Sequence, residues 1–528
     1  MKTISKYLLL VVFALGFFVS CSDDLETEPT DKVAGPTIFA DANAAKTAIN
    51  GVYSMLWRVY YVTDNGAHAY GHQTTLLAQD LMADDMVQMT FNWFGWDYNL
   101  DYTARLINNS IGKTSRSYNV WNMHYTIISN ANYIIAEDGK IGGDQDLAQN
   151  VVAQAYAMRA FSYFELIQGY QKTYIGNENA PGVPVYTEPT RAGDEGKPRG
   201  TVADVYTQIN ADLKRAIEIF EELGKPVQEH CSHVDYYVAK GFEARVALVQ
   251  GKWEDAYNAA RQARSRAKVQ LLKGNEILSG FSNKDLASNL WTMEMIADQS
   301  PIYGSLYCHL DPNTEVSYGY AHRKCISKWL YDKIANPQFA DNRVNWFLDG
   351  NQGGESEGLN VNYGQMKRLA RELSNWVGDI IFMRAEEMLL IEAEAKARLG
   401  DYAAARQLLT DLATVRLTSA EGLTAYTTYI NSLANANTMP EMTNVSPQNV
   451  LEEVIMQRRI ELWGEVGRIK DILRLKQGYT RDYPESNHVE MLVGINTGAQ
   501  SGAFLFNIPQ SEFDGNANIS SNEQNPIN

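Results

Sequence analysis

In two places the chain sets a small residue seven positions before a glycine, an aromatic two positions after that glycine, and an alanine five after it. One unit is Ala244, Gly251, Trp253, Ala256, continued by Ala263; the other is Ala393, Gly400, Tyr402, Ala405. Small side chains at that spacing let two antiparallel helices approach closely, and a glycine between them supplies the left-handed residue that ends the first helix. Few folds other than packed helical hairpins ask for both. Further stretches carry the same periodicity. A helix is predicted from Asp41, with Ala44, Ala45, Ala48, Val52 and Leu56 on one face, and another over Asn119–Ile135, with Trp121, Tyr125, Ile128 and Asn132 as its stripe. Val151–Tyr170 follows, and Val202–Leu223 starts after Thr201, a natural N-cap, and stops before Gly224. Runs alternating with period two are scarce, so the expected class is all-α.

The paired spacings resemble tetratricopeptide units, which need three or more copies to be stable alone. A third unit begins at Ser162 and Gly169 but gives way to Pro181-Gly-Val-Pro184. Residues 171–200, 268–380 and 417–447 are rich in Gly, Asn, Asp, Pro and aromatics without sustained periodicity, and are expected to be long loops. The expected architecture is therefore a set of tetratricopeptide-like hairpins, an α-α superhelix, packed against a loop-rich irregular half. An N-terminal region over 36–267 and a C-terminal region over 268–528 divide the 528 residues.

The first residues read as an address. Lys2 and Lys6 precede an apolar run, Tyr7 to Val19, too short to span a bilayer and right for a secretory signal over 1–20. Ser20-Cys21 and the acidic stretch after it resemble a bacterial lipobox, with Phe18 standing where Leu is usual. Cys21 is the expected lipidation site and 21–35 a flexible acidic tether; plain secretion is the alternative. Cys231, Cys308 and Cys325 remain, an odd number that excludes a fully paired framework; Cys308 and Cys325 either pair or are buried free thiols. With 46 Lys and Arg against 63 Asp and Glu, the net charge of −17 repels phosphate backbones, and no nucleic-acid partner is expected.

The 30 Tyr and 10 Trp matter for function, because such rings join a flat apolar face to a polar edge and suit sugar rings, although most belong to the core. Thr90-Phe-Asn-Trp-Phe-Gly-Trp-Asp-Tyr98 gathers Trp93, Trp96, Phe94, Tyr98 and Asn92 on one predicted loop, the leading candidate for ligand binding. Tyr303, Tyr307, Tyr318 and Tyr320, with His309, Asp311, Asn313 and His322 nearby, form a second candidate group; core packing is the alternative for each. Catalytic and metal readings find less support. His68 and His72 lack the Glu of a zinc-protease helix, and Gly112-Lys-Thr114 lacks the first glycine of a phosphate loop. Asp80, Asp84 and Asp85 have the spacing of a solvated helix face. No catalytic residue, metal ligand or cofactor is expected; calcium is conceivable at the Asp/Asn-rich loops, but no EF-hand pattern occurs.

Read in order, further segments resemble the SusD/RagB nutrient-binding lipoproteins of Bacteroidota. They are Cys21 with its acidic follow-on, Ala48-Ile-Asn-Gly-Val-Tyr53, Trp121 to Ile135, Ala157-Met-Arg-Ala-Phe-Ser-Tyr-Phe-Glu-Leu166, Pro181-Gly-Val-Pro-Val185 and Thr201-Val-Ala-Asp-Val-Tyr206. Arg384-Ala-Glu-Glu-Met388, Gln457-Arg-Arg-Ile-Glu-Leu-Trp463, Phe506-Asn-Ile-Pro-Gln510 and the closing Asn525-Pro-Ile-Asn528 continue the series, with Gln457 and Gly467-Arg-Ile469 as departures from the usual pattern. The resemblance implies a surface-exposed outer-membrane lipoprotein without enzymatic activity. It would bind oligosaccharides or polysaccharides and pass them to a SusC-like TonB-dependent barrel over which it sits as a lid. A peptide- or protein-binding lid of the RagB type is the alternative.

Overall fold

The structure, a computed structural model, describes residues 39, 41–58, 71–90, 116–191, 193–353, 357–493 and 497–525. The signal segment 1–20, the tether 21–35, Cys21, His68, the Trp93–Tyr98 run and Gly112-Lys-Thr114 lie outside them. The described residues are mostly helical. The N-terminal half supplies α1 (Ala42–Ser54), α2 (His72–Leu81), α3 (Arg116–Ile135), α4 (Gln145–Tyr170), α5 (Val202–Glu222), α6 (Tyr236–Gln250) and α7 (Trp253–Arg264). The C-terminal half supplies α8 (Ala385–Arg398), α9 (Tyr402–Arg416), α10 (Ala420–Ser432), α11 (Val450–Glu461) and α12 (Arg468–Arg474), with shorter pieces between.

Local sequence sets the helix ends. The Asp41 carboxylate accepts from the amides of Asn43 and Ala44, and Thr201 and Asp204 form a reciprocal capping box on α5. α6 stops at Gly251 and α8 just before Gly400, whose φ values are +71° and +81°. The alanines of both units, at 244, 256, 393 and 405, are wholly buried, as close helix approach requires. α7 then packs along α8, so the two hairpins stack side by side. Gly400→Ala is expected to cost about 1 kcal/mol through the left-handed backbone alone. Gly251→Ala should cost more, since an added Cβ would lie 2.9 Å from Ile175 Cδ1. Urea unfolding of both variants checks the order.

α4 is buried on nearly every side, with α1, α3 and α5 around it, and the charged groups it buries are paired, Arg159 with Asp212 and Glu165 with Lys470. The largest core cluster continues from these helices through Trp291, Val377–Met383 and α8 to Phe506 and Ile508, so it runs unbroken past residue 267. A second cluster fills the irregular half between Leu272 and Trp376, joined by Leu77, Met456 and Trp463. Of two small antiparallel sheets, one stitches the halves, β1 (Met86–Gln88) pairing with β3 (Lys324–Ile326), and the other lies within the C-terminal half, β2 (Asn289–Met293) pairing with β4 (Ile380–Arg384).

Two expectations need correcting. The 417–447 stretch is not all loop: α10 lies within it, burying Gly422, Tyr426 and Ile430 at intervals of four. Asp80, Asp84 and Asp85 are not a solvated face but are all buried. Asp84 and Asp85 pair with the guanidinium groups of Arg459 and Arg468 at 2.6–3.2 Å, and Asp80 accepts from the Arg468 amide at 2.7 Å. Burial opposes the charge on Asp84, yet the two guanidiniums hold its pKa down at about 2. His72 is also a core residue; burial, then the charges of Lys470 and Arg245, keep it neutral. Cys308 and Cys325 are buried free thiols. Among the described residues, no helix is long and apolar enough to cross a membrane.

Candidate functional site

Exposed apolar side chains concentrate in one district of the irregular half. Of twelve large hydrophobics exposed among the described residues, five are Ile296, Ile302, Tyr303, Val316 and Leu373. They sit on three segments that the fold draws together. The Ser300 hydroxyl donates to the Asn375 carbonyl at 2.6 Å, the Ser305 hydroxyl to the Trp376 carbonyl at 2.7 Å, and the Trp376 indole N–H to Thr314 Oγ1 at 2.9 Å. Asp379 anchors the base: its carboxylate accepts from the Met295 and Lys284 amides and from Arg371 at 2.6–2.8 Å.

On this frame Tyr303, 51% exposed, lies with its ring centre 5.7 Å from that of Trp376 and 5.9 Å from that of Tyr318. Tyr318 is half-buried and rests on His309 at 4.9 Å. The result is a ledge on which the Tyr303 ring is open to solvent, Tyr318 beside it is half-buried and Trp376 lies buried beneath. Two residues that carry it are strained. Ile302 and Trp376 have φ values of +54° and +49°, which side chains of their bulk, and a β-branched one above all, rarely adopt. Such strain persists only where surrounding bonds over-determine it, and it collects at functional positions. The neighbouring surface carries Gln299, Asn313, Glu315 and Glu372, all exposed, as hydrogen-bonding company.

Of the candidate tyrosines, then, Tyr303 and Tyr318 come together. Tyr320 is half-buried on the same short helix, Tyr318–Ala321. Tyr307 does not belong to the surface and is a correction. The short helix Leu306–Leu310 turns its ring inward, it is 1% exposed, and its hydroxyl is 2.7 and 2.8 Å from the carbonyl oxygens of Phe281 and Asp379. Burial pushes that hydroxyl's pKa up to about 12. Of the polar company, His309 and Asp311 are also buried, Asp311 accepting from the amides of Asn313 and Ala370. Trp376 was not among the candidates; nothing in its sequence neighbourhood signals a left-handed tryptophan beneath another ring.

Trp93, Phe94, Trp96, Tyr98 and Asn92 lie outside the described residues, but the chain that leads to them is fixed. β1 is paired through Gln88 with Lys324, and the Thr90 hydroxyl donates to the Ala321 carbonyl at 3.0 Å, 2.9 Å from His322 Nδ1. Burial and then Lys324 lower the His322 pKa to about 4, so this contact is with a neutral ring at neutral pH. Thr90, the last described residue before that run, thus sits at the end of the short helix that bears Tyr318 and Tyr320. A small pocket lined by His72, Glu165, Arg245, Glu387 and Lys470 measures about 60 Å³, room for a few waters.

Comparison with known proteins agrees with this architecture. A family profile described as "Starch-binding associating with outer membrane" matches residues 53–248, and the profile of the SusD family matches 345–527. SusD-like protein P38 of Formosa agariphila is 22% identical over 523 residues, covering 88% of this chain and 90% of that protein. A SusD-like carbohydrate binding protein from Bacteroides vulgatus superposes with a TM-score of 0.74 at 24% identity, over 92% of this chain and 99% of its own. A laminarin binding SusD-like protein gives 0.65 at 20% identity, over 92% and 100%. Two profiles of one family occupying both halves, on a helical-hairpin fold shared nearly end to end, place this chain in the SusD/RagB family, a family with carbohydrate-binding and outer-membrane-associated members.

Proposed function

We propose that this protein captures oligosaccharides or polysaccharides at the Tyr303–Tyr318–Trp376 ledge, with Trp93 and Trp96 as further ligand-binding residues, and performs no catalysis on them. The observation that carries this reading is the exposed Tyr303 ring, backed by Trp376 and flanked by Tyr318. A pyranose presents an axial C–H face to such a ring and its hydroxyls to the polar rim. A shallow ledge buries little area, so each site binds modestly, and capture relies on contacts repeated along a polymer. The glycan then passes to a SusC-like TonB-dependent barrel, the chain being held at the outer-membrane exterior through a lipid on Cys21. The family supports that partner and address, and the lipobox-like Ser20-Cys21 supports the anchor.

Affinity electrophoresis and calorimetry against a panel of glycans, laminarin among them, test the reading. Tyr303→Ala is expected to weaken binding by about 2 kcal/mol, roughly thirtyfold, as a central anchoring ring does. Tyr307→Phe, which alters only a buried hydroxyl, should leave affinity unchanged. Undiminished binding after Tyr303→Ala and Tyr318→Ala together would move the site elsewhere. Binding to peptides with none to glycans would favour the RagB-type alternative.

A further inference from the structure

We infer that His230, Cys231 and Glu294 form a site for one zinc ion. Donor atoms of the three lie within 4.8 Å of one another, and His230 Nε2 is already 3.1 Å from Glu294 Oε2. Tetrahedral zinc holds nitrogen, sulfur and oxygen ligands at roughly 2.0–2.3 Å, which sets ligand-to-ligand separations near 3.5 Å. The cluster therefore has to contract by about 1 Å, a change its half-exposed side chains can make by rotation.

The backbone beneath is fixed. The Thr292 amide donates to the Cys231 carbonyl at 3.1 Å, the Trp291 indole donates to the Ser232 carbonyl at 2.8 Å, and the Val234 amide donates to the Tyr53 hydroxyl at 2.9 Å. These bonds tie the 230–234 turn to β2 and α1, so the donors are brought together before any ion arrives. The site opens on a groove of about 1000 Å³ lined by His230, Glu294, His233, Ile296 and Gln299, which gives an entry path and a fourth position for water.

A thiolate, an imidazole and a carboxylate are a zinc donor set and a poor one for calcium or magnesium. Binding requires the Cys231 thiol to release its proton to solvent, after which thiolate and carboxylate neutralise the ion. The His230 ring must also yield the bond that Nδ1 accepts from the Ser232 amide at 3.2 Å, so that Nδ1 takes the ring proton and the Nε2 lone pair faces the metal. Lys284, 4.0 Å from Glu294 Oε1, opposes loading. Glu294 stands nine residues before Tyr303 on one segment, so an ion here would pin that segment's root to the 230–234 turn.

Calorimetric titration of the chelator-treated full chain with Zn²⁺ is expected to show one ion per chain and proton release on binding. Cys231→Ser and Glu294→Gln should each weaken it at least about tenfold. Co²⁺ should give a thiolate charge-transfer band that Cys231→Ser abolishes, and Zn²⁺ should raise the unfolding temperature of the parent chain but not of that variant. The proposal is overturned if the folded parent takes up no stoichiometric ion, or if both variants titrate like the parent. Glycan affinity is measured separately, so failure here leaves the ledge intact.

Discussion

Arg384→Ala is expected to cost about 3–5 kcal/mol of stability, since it strips one cation from a buried, hydrogen-bonded charge network. Arg384 closes β4 with its guanidinium almost wholly inside. Nε donates to Glu465 Oε2 and Nη1 to Glu461 Oε1, both at 2.7 Å, while Nη2 donates to the Glu461 carbonyl at 2.6 Å and Glu386 lies 2.9 Å from Nη1. Arg416 and Arg343 reach the same Glu461 carboxylate at 2.7–3.1 Å, Arg343 also clasps Asp341, and Lys367 meets Glu465 at 2.5 Å. Cations Arg343, Lys367, Arg384 and Arg416 thus balance carboxylates Asp341, Glu386, Glu461 and Glu465, all of them buried.

Removing Arg384 leaves the Glu461 and Glu465 charges under-compensated, and the desolvation cost of a carboxylate falls on the folded state alone. Burial by itself would raise both carboxyls; their cationic partners instead hold Glu461 well below the ordinary range and Glu465 at about 2. Arg384→Lys should recover part of the loss, because it restores the charge without the planar fork. Lys214→Ala on α5 is the control. Its partner Glu218 is exposed on the same helix, and that change should cost under about 0.5 kcal/mol. Equal small losses in urea unfolding for Arg384→Ala and Lys214→Ala would show that the network contributes little.

What the sequence disclosed followed from interactions of short range. Helices α1 and α3–α9 were legible because burial repeats within a few residues and because caps such as Asp41, Thr201 and Gly251 act on their own turn. α10 was not: its exposed face carries Thr424, Thr427 and Thr428, whose hydroxyls bond back to carbonyls one turn earlier, so the stretch reads as polar loop until its buried stripe is seen. Asp80, Asp84 and Asp85 were misjudged because local spacing cannot reveal a partner such as Arg459, 374 residues beyond Asp85. The same limit explains the tyrosines. Tyr303 and Tyr307 are one helical turn apart in sequence, yet the positive φ at Ile302 and the short helix after Ser305 send one outward and the other into the core. Trp376 reaches the ledge from far along the chain, through bonds to Thr314 and Ser305 that no local pattern encodes.

Asp80→Asn is expected to stabilise the protein by several kcal/mol at pH 8 and to change little at pH 4. Asp80 is buried in α2. Oδ1 accepts from the Arg468 amide at 2.7 Å, and Oδ2 has no hydrogen-bond partner among the described residues. Arg468 turns its Nε to Asp84 and Asp85, and the hydrogen bond Asp80 receives comes from a neutral donor, the Arg468 amide. Burial foremost, then the charges of Asp85 and Glu465, raise its pKa from 3.8 to about 7, against the opposing influence of the Arg468 amide and Lys367. Below its ordinary value Asp80 is protonated in both states and has no effect on the balance. Between there and about pH 7 the unfolded chain gives up the proton while the folded chain keeps it, so stability falls as pH rises, approaching a loss of about 4 kcal/mol above that window. Asparagine retains the acceptor for the Arg468 amide, matches the protonated acid in shape, and never ionises. Its advantage over the parent should therefore grow from pH 4 to pH 8. The depressed carboxylates, Asp84 and Glu465 among them, act in the opposite sense and at lower pH, and they cancel in the comparison between variant and parent. Urea unfolding of both chains at several pH values measures the difference. A gain that is flat with pH, or a loss at pH 8, would mean that Asp80 is ionised and satisfied in the folded protein.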